Sequence, residues 1–154
     1  MTKQEKLQKT SELFYSTIPL VKKIFMGNPP QNLDEIQPFL YSTVLCVYFN
    51  GRNKMSRISE ITGMSKPLIT QQVERLVEAG LLERFYDAND RRIVGVDITE
   101  KGRAFAKKLT TLYAQRGCEI LSSLSEEDFT AFTESYQTIK RILQKLDKPN
   151  ETKQ

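Results

Sequence analysis

Two groups of side chains carry the chemistry this chain can offer. One is Ser65, Lys66, Pro67, Leu68, Thr70, Gln71 and Arg75; the other is Arg91 and Arg92, set directly after Asp87, Ala88, Asn89 and Asp90. Together they supply donors, acceptors, methyl groups and positive charge, which suits hydrogen bonding to phosphates and base edges. They are poorly suited to breaking bonds. The chain has no histidine, and neither a nucleophile elbow nor a phosphate-cradling glycine loop occurs, so catalysis is not expected. Cys46 and Cys118 lie far apart without histidine partners, so no metal site and no cofactor is expected either.

The elements that must position these groups follow from periodicity. Ile58 and Ile61 give a short helix an apolar side, Gly63 can end it with positive φ, and Met64 is placed to plug the turn. Ser65 is a good N-cap, and Pro67 falls in the first turn, where its missing N–H costs nothing. Ile69, Val73 and Leu76 then share one face, so Lys66, Pro67, Leu68, Thr70, Gln71, Glu74 and Arg75 point outward, and Gly80 closes the helix. Leu82–Tyr86 and Ile93–Ile98 switch to strand character, joined by the turn residues at 87–90. Two short helices followed by a hairpin with arginines at its tip are the plan of a winged helix-turn-helix.

The segment resembles the MarR family of bacterial transcription regulators. The resemblance rests on Ser65 and Thr70 to Arg75 in the second helix, on Gly80-Leu81-Leu82-Glu83-Arg84 at its exit, on Asp90-Arg91-Arg92 in the wing, and on Ile98-Thr99-Glu100-Lys101-Gly102 at the start of the next helix. It implies a mainly α fold with a small antiparallel β-hairpin. The whole chain, 1–154, would form one such domain, with a winged helix-turn-helix at 38–98 and dimerisation helices at 5–26 and 99–146. It further implies a homodimer on a pseudo-palindromic operator in double-stranded DNA, acting as a ligand-relieved repressor. The competing reading is a winged helix that docks protein or RNA without operator specificity; the arginines at the wing tip favour DNA.

Individual roles follow. Ser65 offers its backbone N–H to a phosphate, and Thr70 and Gln71 are placed for base contacts, with Gln suited to adenine and Thr to a thymine methyl. Pro67 and Leu68 add apolar contact, and Lys66 adds charge. Many family members carry a basic residue where Gln71 stands, which lessens the expected reliance on guanine. Arg75 can reach a phosphate or pair with Asp87 or Asp90. In the wing Arg92 is assigned to the minor groove and Arg91 to phosphate, with Asp90 bracing the turn alongside Asp87.

Charge agrees with this division. The net charge is +4, and between Arg52 and Lys108 there are 12 basic against 8 acidic residues, so the whole excess lies in the reader. Phosphate binding needs such a local field more than a large global one. No apolar run is long enough to span a bilayer, and the charged N-terminus lacks a signal-peptide core; a cytoplasmic protein is expected.

The remaining chain reads as a frame. Leu7, Phe14, Ile18, Val21 and Phe25 recur at helical spacing, with Pro19 expected to kink or interrupt the helix. A loop is expected from Gly27 to Asn32. The stretch Pro38–Asn50 is apolar nearly all round and fits a strand as well as a helix on propensity; the resemblance decides for helix. Thr99 caps a helix with Gly117 as a weak point, and Ser125 to Asp128 resembles a capping box. Phe129, Phe132, Tyr136, Ile139, Leu143 and Leu146 then form one apolar stripe that calls for a subunit partner. The polar tail from Lys148 to Gln154 is expected to fray.

Since family members bind ligands between frame and reader, Phe14, Ile18, Phe39, Tyr41 and Phe105 are the candidate effector cleft, suited to a small apolar or aromatic molecule. Thiol sensing is the weaker alternative. Cys46 lies in the most apolar stretch, where burial raises a thiol's pKa, and Cys118 has no evident resolving partner.

Overall fold

A computed structural model describes residues 1–31 and 33–147. The expected tail at 148–154, and Asn32 of the expected loop, lie outside the described residues. The order is α1 (Lys3–Val21), a π-helical turn (Lys22–Met26), two 3₁₀ turns (Leu33–Glu35 and Pro38–Leu40), α2 (Tyr41–Asn50), β1 (Asn53–Lys54), α3 (Met55–Thr62), α4 (Lys66–Glu78), β2 (Leu82–Tyr86), β3 (Val94–Ile98), α5 (Glu100–Leu121) and α6 (Glu126–Leu146). The fold is mainly helical with a small antiparallel sheet. The chain divides into two compact units, Met1–Gln115 and the part that begins at Arg116.

The first unit holds the core. Val44 and Val47 of α2, Ile58 of α3, Ile69, Val73 and Leu76 of α4, Leu82, Val96 and Ile98 of the sheet, and Phe105, Ala106 and Leu109 of α5 form one buried cluster. The stretch that fitted strand or helix is helical. Of its side chains Tyr41, Thr43, Val44, Cys46 and Val47 are buried, while Phe39 and Phe49 are exposed, so it is less apolar all round than its composition implies. Burial in apolar surroundings pushes the Cys46 thiol up, as a structural cysteine requires. Cys118 is exposed.

Two expectations change here. The hairpin is part of a three-stranded sheet in the order β1-β3-β2, because Asn53 and Lys54 pair antiparallel with Val96 and Gly95. Pro19 does not interrupt α1, which runs on to Val21. The ladder changes immediately afterwards, where the Gly27 N–H bonds to the Lys22 carbonyl at 2.9 Å across a π turn. An interior proline removes its own N–H and crowds the carbonyl four residues back, and the wider π turn follows directly after that defect.

Caps follow the sequence closely. Thr2 and Glu5 form a reciprocal capping box at α1, and Ser125 Oγ accepts the Asp128 N–H at 3.1 Å to start α6. α5 passes through Gly117 without a break. Neither α1 nor α6 buries a single residue. The α6 stripe is exposed from 37% at Phe132 to 75% at Leu146.

Candidate nucleic-acid interface

α3 ends at Gly63 in the left-handed region, φ 69°, and α4 begins three residues later at Lys66. Ser65 Oγ accepts the Leu68 N–H at 3.4 Å and the Ile69 N–H bonds the Ser65 carbonyl, so of the first helical residues only Lys66 keeps its backbone N–H available. Pro67 sits in that first turn. Ile69, Val73 and Leu76 face the core, and Lys66, Pro67, Leu68, Thr70, Gln71, Glu74 and Arg75 are all exposed. The outward face is thus the one the periodicity assigns. Thr70 donates its hydroxyl to the Lys66 carbonyl at 2.9 Å, so its methyl and oxygen lone pairs remain free for a ligand.

The wing is a closed turn. Asp87 Oδ1 accepts the N–H groups of Asn89 and Asp90 at 2.8 and 3.2 Å, and the Asp87 N–H donates to the Ile93 carbonyl at 3.0 Å. Those backbone bonds hold the Asp87 carboxyl below the usual carboxylate range. Asp90 is lowered chiefly by the Arg92 side chain, which donates Nε to Oδ1 and Nη2 to Oδ2, each at 3.1 Å. The Arg92 side chain is nevertheless 91% exposed. Two of its five donors engage Asp90, and the rest of the fork faces solvent at a fixed angle. Arg91 is exposed beside it.

Arg75 differs from expectation. It pairs with neither Asp87 nor Asp90; Nη1 donates to Gln37 Oε1 at 3.2 Å, and the guanidinium lies 5.4 Å from the Phe39 ring centroid. A contact across 38 residues of chain leaves no local trace in the sequence. The acidic partner in this part of the unit is Glu74, which receives Arg84 of β2 at 3.4 Å.

Three supporting contacts are absent from the sequence reading. Gln72 is buried and its Oε1 accepts the hydroxyl of buried Thr43, tying α4 to α2. The spacing Ile69, Gln72, Val73, Leu76 held this signal, since position 72 falls on the same face as 69 and 76. The Phe85 ring packs on Gly95, its cross-strand partner, and Arg52 lies 3.6 Å over the ring centroid. A Cβ at Gly95 would fall 2.0 Å from Phe85 Cζ, so any larger residue there would displace the Phe85 ring from its present position. At the exit of α4, Thr99 Oγ1 donates toward the Gly80 carbonyl at 2.6 Å and accepts the Gly102 N–H at 3.0 Å, while Lys101 Nζ bonds the Ala79 carbonyl at 2.8 Å. The Thr99-Glu100-Lys101-Gly102 stretch therefore clamps the end of α4 as well as starting α5.

The candidate effector residues are spread over several settings. Tyr41 and Phe105 are buried with ring centroids 5.6 Å apart, and the Tyr41 hydroxyl donates to the Pro30 carbonyl at 2.8 Å. Phe39 is half-exposed against Arg75. Phe14 is half-exposed and stacks edge-on with Tyr15, and Ile18 is partly buried. The structure therefore joins Tyr41 to Phe105 as core and gives Phe39 a separate role beneath Arg75. Among the described residues no cluster of three His, Cys, Asp or Glu side chains could hold a metal ion, and no helix is long and apolar enough to cross a membrane.

Residues 36–94, which span α2 to the first residue of β3, match the MarR family. The transcriptional regulator MhqR of Bacillus subtilis is 27% identical over 104 residues, covering 68% of this chain and 72% of that protein. A MarR-like transcriptional regulator of Thermotoga maritima, 28% identical, superposes with a TM-score of 0.60 over 86% of this chain and 95% of its own. FabT of Streptococcus pneumoniae, solved in complex with DNA, shares the fold at a TM-score of 0.62 and 18% identity, covering 95% of this chain and 100% of its own. The helix pair and the braced wing thus lie in the part of the chain that is similar to winged helix-turn-helix transcriptional regulators of the MarR family.

Proposed function

We propose that the protein regulates transcription as a homodimer that reads a pseudo-palindromic operator in double-stranded DNA. The observation that carries this reading is the pairing of an outward polar face on α4 with a wing whose Arg92 is braced yet exposed. Ser65 and Lys66 meet phosphate, Pro67, Leu68, Thr70 and Gln71 meet base edges, Arg92 enters the minor groove, and Arg91 takes the flanking backbone. Asp87 and Asp90 set the angle of that wing. The DNA-bound state of FabT, a protein of the same fold, supports the same reading.

The homodimer is supported by the exposed apolar stripe of α6 and the exposed Leu7, Leu13, Phe14 and Leu20 of α1, because apolar surface of this extent normally lies in an interface. Repression relieved by a small apolar or aromatic effector is the regulatory part of the proposal. Phe39 supports it, since it is half-exposed and touches Arg75 on the reading helix. A ligand on Phe39 would thereby act on the reader. Such a protein works in the cytoplasm, beside its DNA.

Fluorescence anisotropy on the intergenic DNA upstream of the protein's own reading frame, against a scrambled duplex of equal length, tests the function. Preferential binding that weakens steeply with salt is expected. Equal, weak binding to that DNA and to genomic fragments would favour a protein-docking winged helix instead.

A further inference from the structure

The reading face of α4 is short of free cations, and this has a consequence for the sequence it can recognise. Guanine is read mainly by Arg or Lys reaching O6 and N7, adenine by Gln or Asn, and thymine by apolar contact with its methyl. Along α4 the exposed residues after the cap are Lys66, Pro67, Leu68, Thr70, Gln71, Glu74, Arg75 and, in the last turn, Glu78. Arg75, the one guanidinium among them, is engaged by Gln37 and Phe39. Lys66 stands at the first helical position beside Ser65, where the N-terminal N–H groups and a cation meet phosphate. Pro67 and Leu68 offer only apolar surface, and Leu68 is 40% exposed. Thr70 has its hydroxyl proton on the Lys66 carbonyl, which leaves its methyl as the distinctive outward group. Glu74, paired with Arg84, would repel phosphate and the acceptor edge of guanine. Gln71 alone presents a free paired donor and acceptor.

We infer that the half-site beneath α4 is a run of A·T pairs, read by Gln71 on an adenine and by Pro67, Leu68 and Thr70 on thymine methyls. This deepens the proposed function and rests on it. Specificity at the centre of each half-site then depends on Gln71. Arg75 acts as a positioning residue that ties α4 to the entry of α2 through Gln37 and Phe39.

The test is selection of the full-length chain on a randomised duplex library, repeated with Gln71→Arg. The native protein should enrich half-sites with consecutive A·T pairs and no fixed guanine in the major-groove contact segment. Gln71→Arg should convert one A·T pair per half-site to G·C, with a preference of about tenfold or more, the range of one good bidentate pair. Both chains should keep the same melting temperature, since Gln71 is exposed. A fixed guanine in that segment for the native protein, unmoved by Gln71→Arg, would overturn the inference while leaving operator recognition intact. No enrichment of any sequence by either chain would overturn operator recognition as well, and the inference with it.

Discussion

The reader and the two long flanking helices are held in opposite ways. In the reader, α2 to α5 close around a shared core, and three of the turns are fixed by side-chain bonds: Ser65 to Leu68, Asp87 to Asn89 and Asp90, Thr99 to Gly80 and Gly102. In α1 and α6 the caps are as well formed, yet neither helix buries a residue within the chain. Good caps and propensity make a helix; they do not give its apolar face somewhere to go. The reader thus encloses its own apolar residues, whereas α1 and α6 leave theirs exposed.

The largest test of that contrast lies in the frame. Ile139→Asp together with Leu143→Asp should weaken self-association at least about a hundredfold, because charges placed in an apolar interface cost several kcal/mol. Sedimentation equilibrium reads the change. The far-UV spectrum of the reader should survive, and unchanged association would move the interface away from α6.

Next comes Gly102, in the first turn of α5. A Cβ at Gly102 would lie 2.0 Å from the Leu81 carbonyl oxygen, a backbone atom that cannot swing aside. Gly102→Ala should therefore destabilise the chain by about 2–3 kcal/mol, the scale of overpacking a tight core contact. Chemical denaturation checks it, and a neutral result would show the α4 exit to be looser than the Thr99 clamp requires.

Within the reader, Arg92→Ala separates presentation from folding. The side chain is nearly all exposed, so thermal stability should hold, while operator affinity should fall about tenfold, in line with loss of one good Arg contact. Anisotropy on the same duplex measures it; full affinity would remove Arg92 from the interface.

The smallest effect has the opposite sign. Among the described residues nothing lies within 4 Å of a Cβ placed at Gly117, so Gly117→Ala should stabilise α5 by about 0.5–1 kcal/mol through helix propensity alone. A loss of stability there would point to a close neighbour supplied by a second chain.

What was legible in the sequence follows the same boundary between local and remote. Gly63 and Gly80 take positive φ, Ser65, Thr99 and Ser125 cap their helices, and β2 spans Leu82–Tyr86 as its residues suggest; each depends on neighbours a few positions away. The outward face of α4 was readable for that reason, and with it most of the candidate site. Contacts joining distant segments were not. β1 is two residues long and pairs with a strand some forty positions on; Arg75 meets Gln37; Arg52 covers Phe85. Tyr41 and Phe105 are cleft candidates by type, and their burial depends on how α2 meets α5. Pro19 shows the converse, a strong local signal absorbed by an exposed helix.

The central claim is that two copies of one self-sufficient reader act on one duplex. A stoichiometric anisotropy titration of a selected palindromic operator, at concentrations well above the dissociation constant, tests it most directly. A sharp break at two chains per duplex, with the Ile139→Asp and Leu143→Asp chain failing to saturate at that ratio, is the predicted result. A break at one chain per duplex, unaffected by those substitutions, would contradict it.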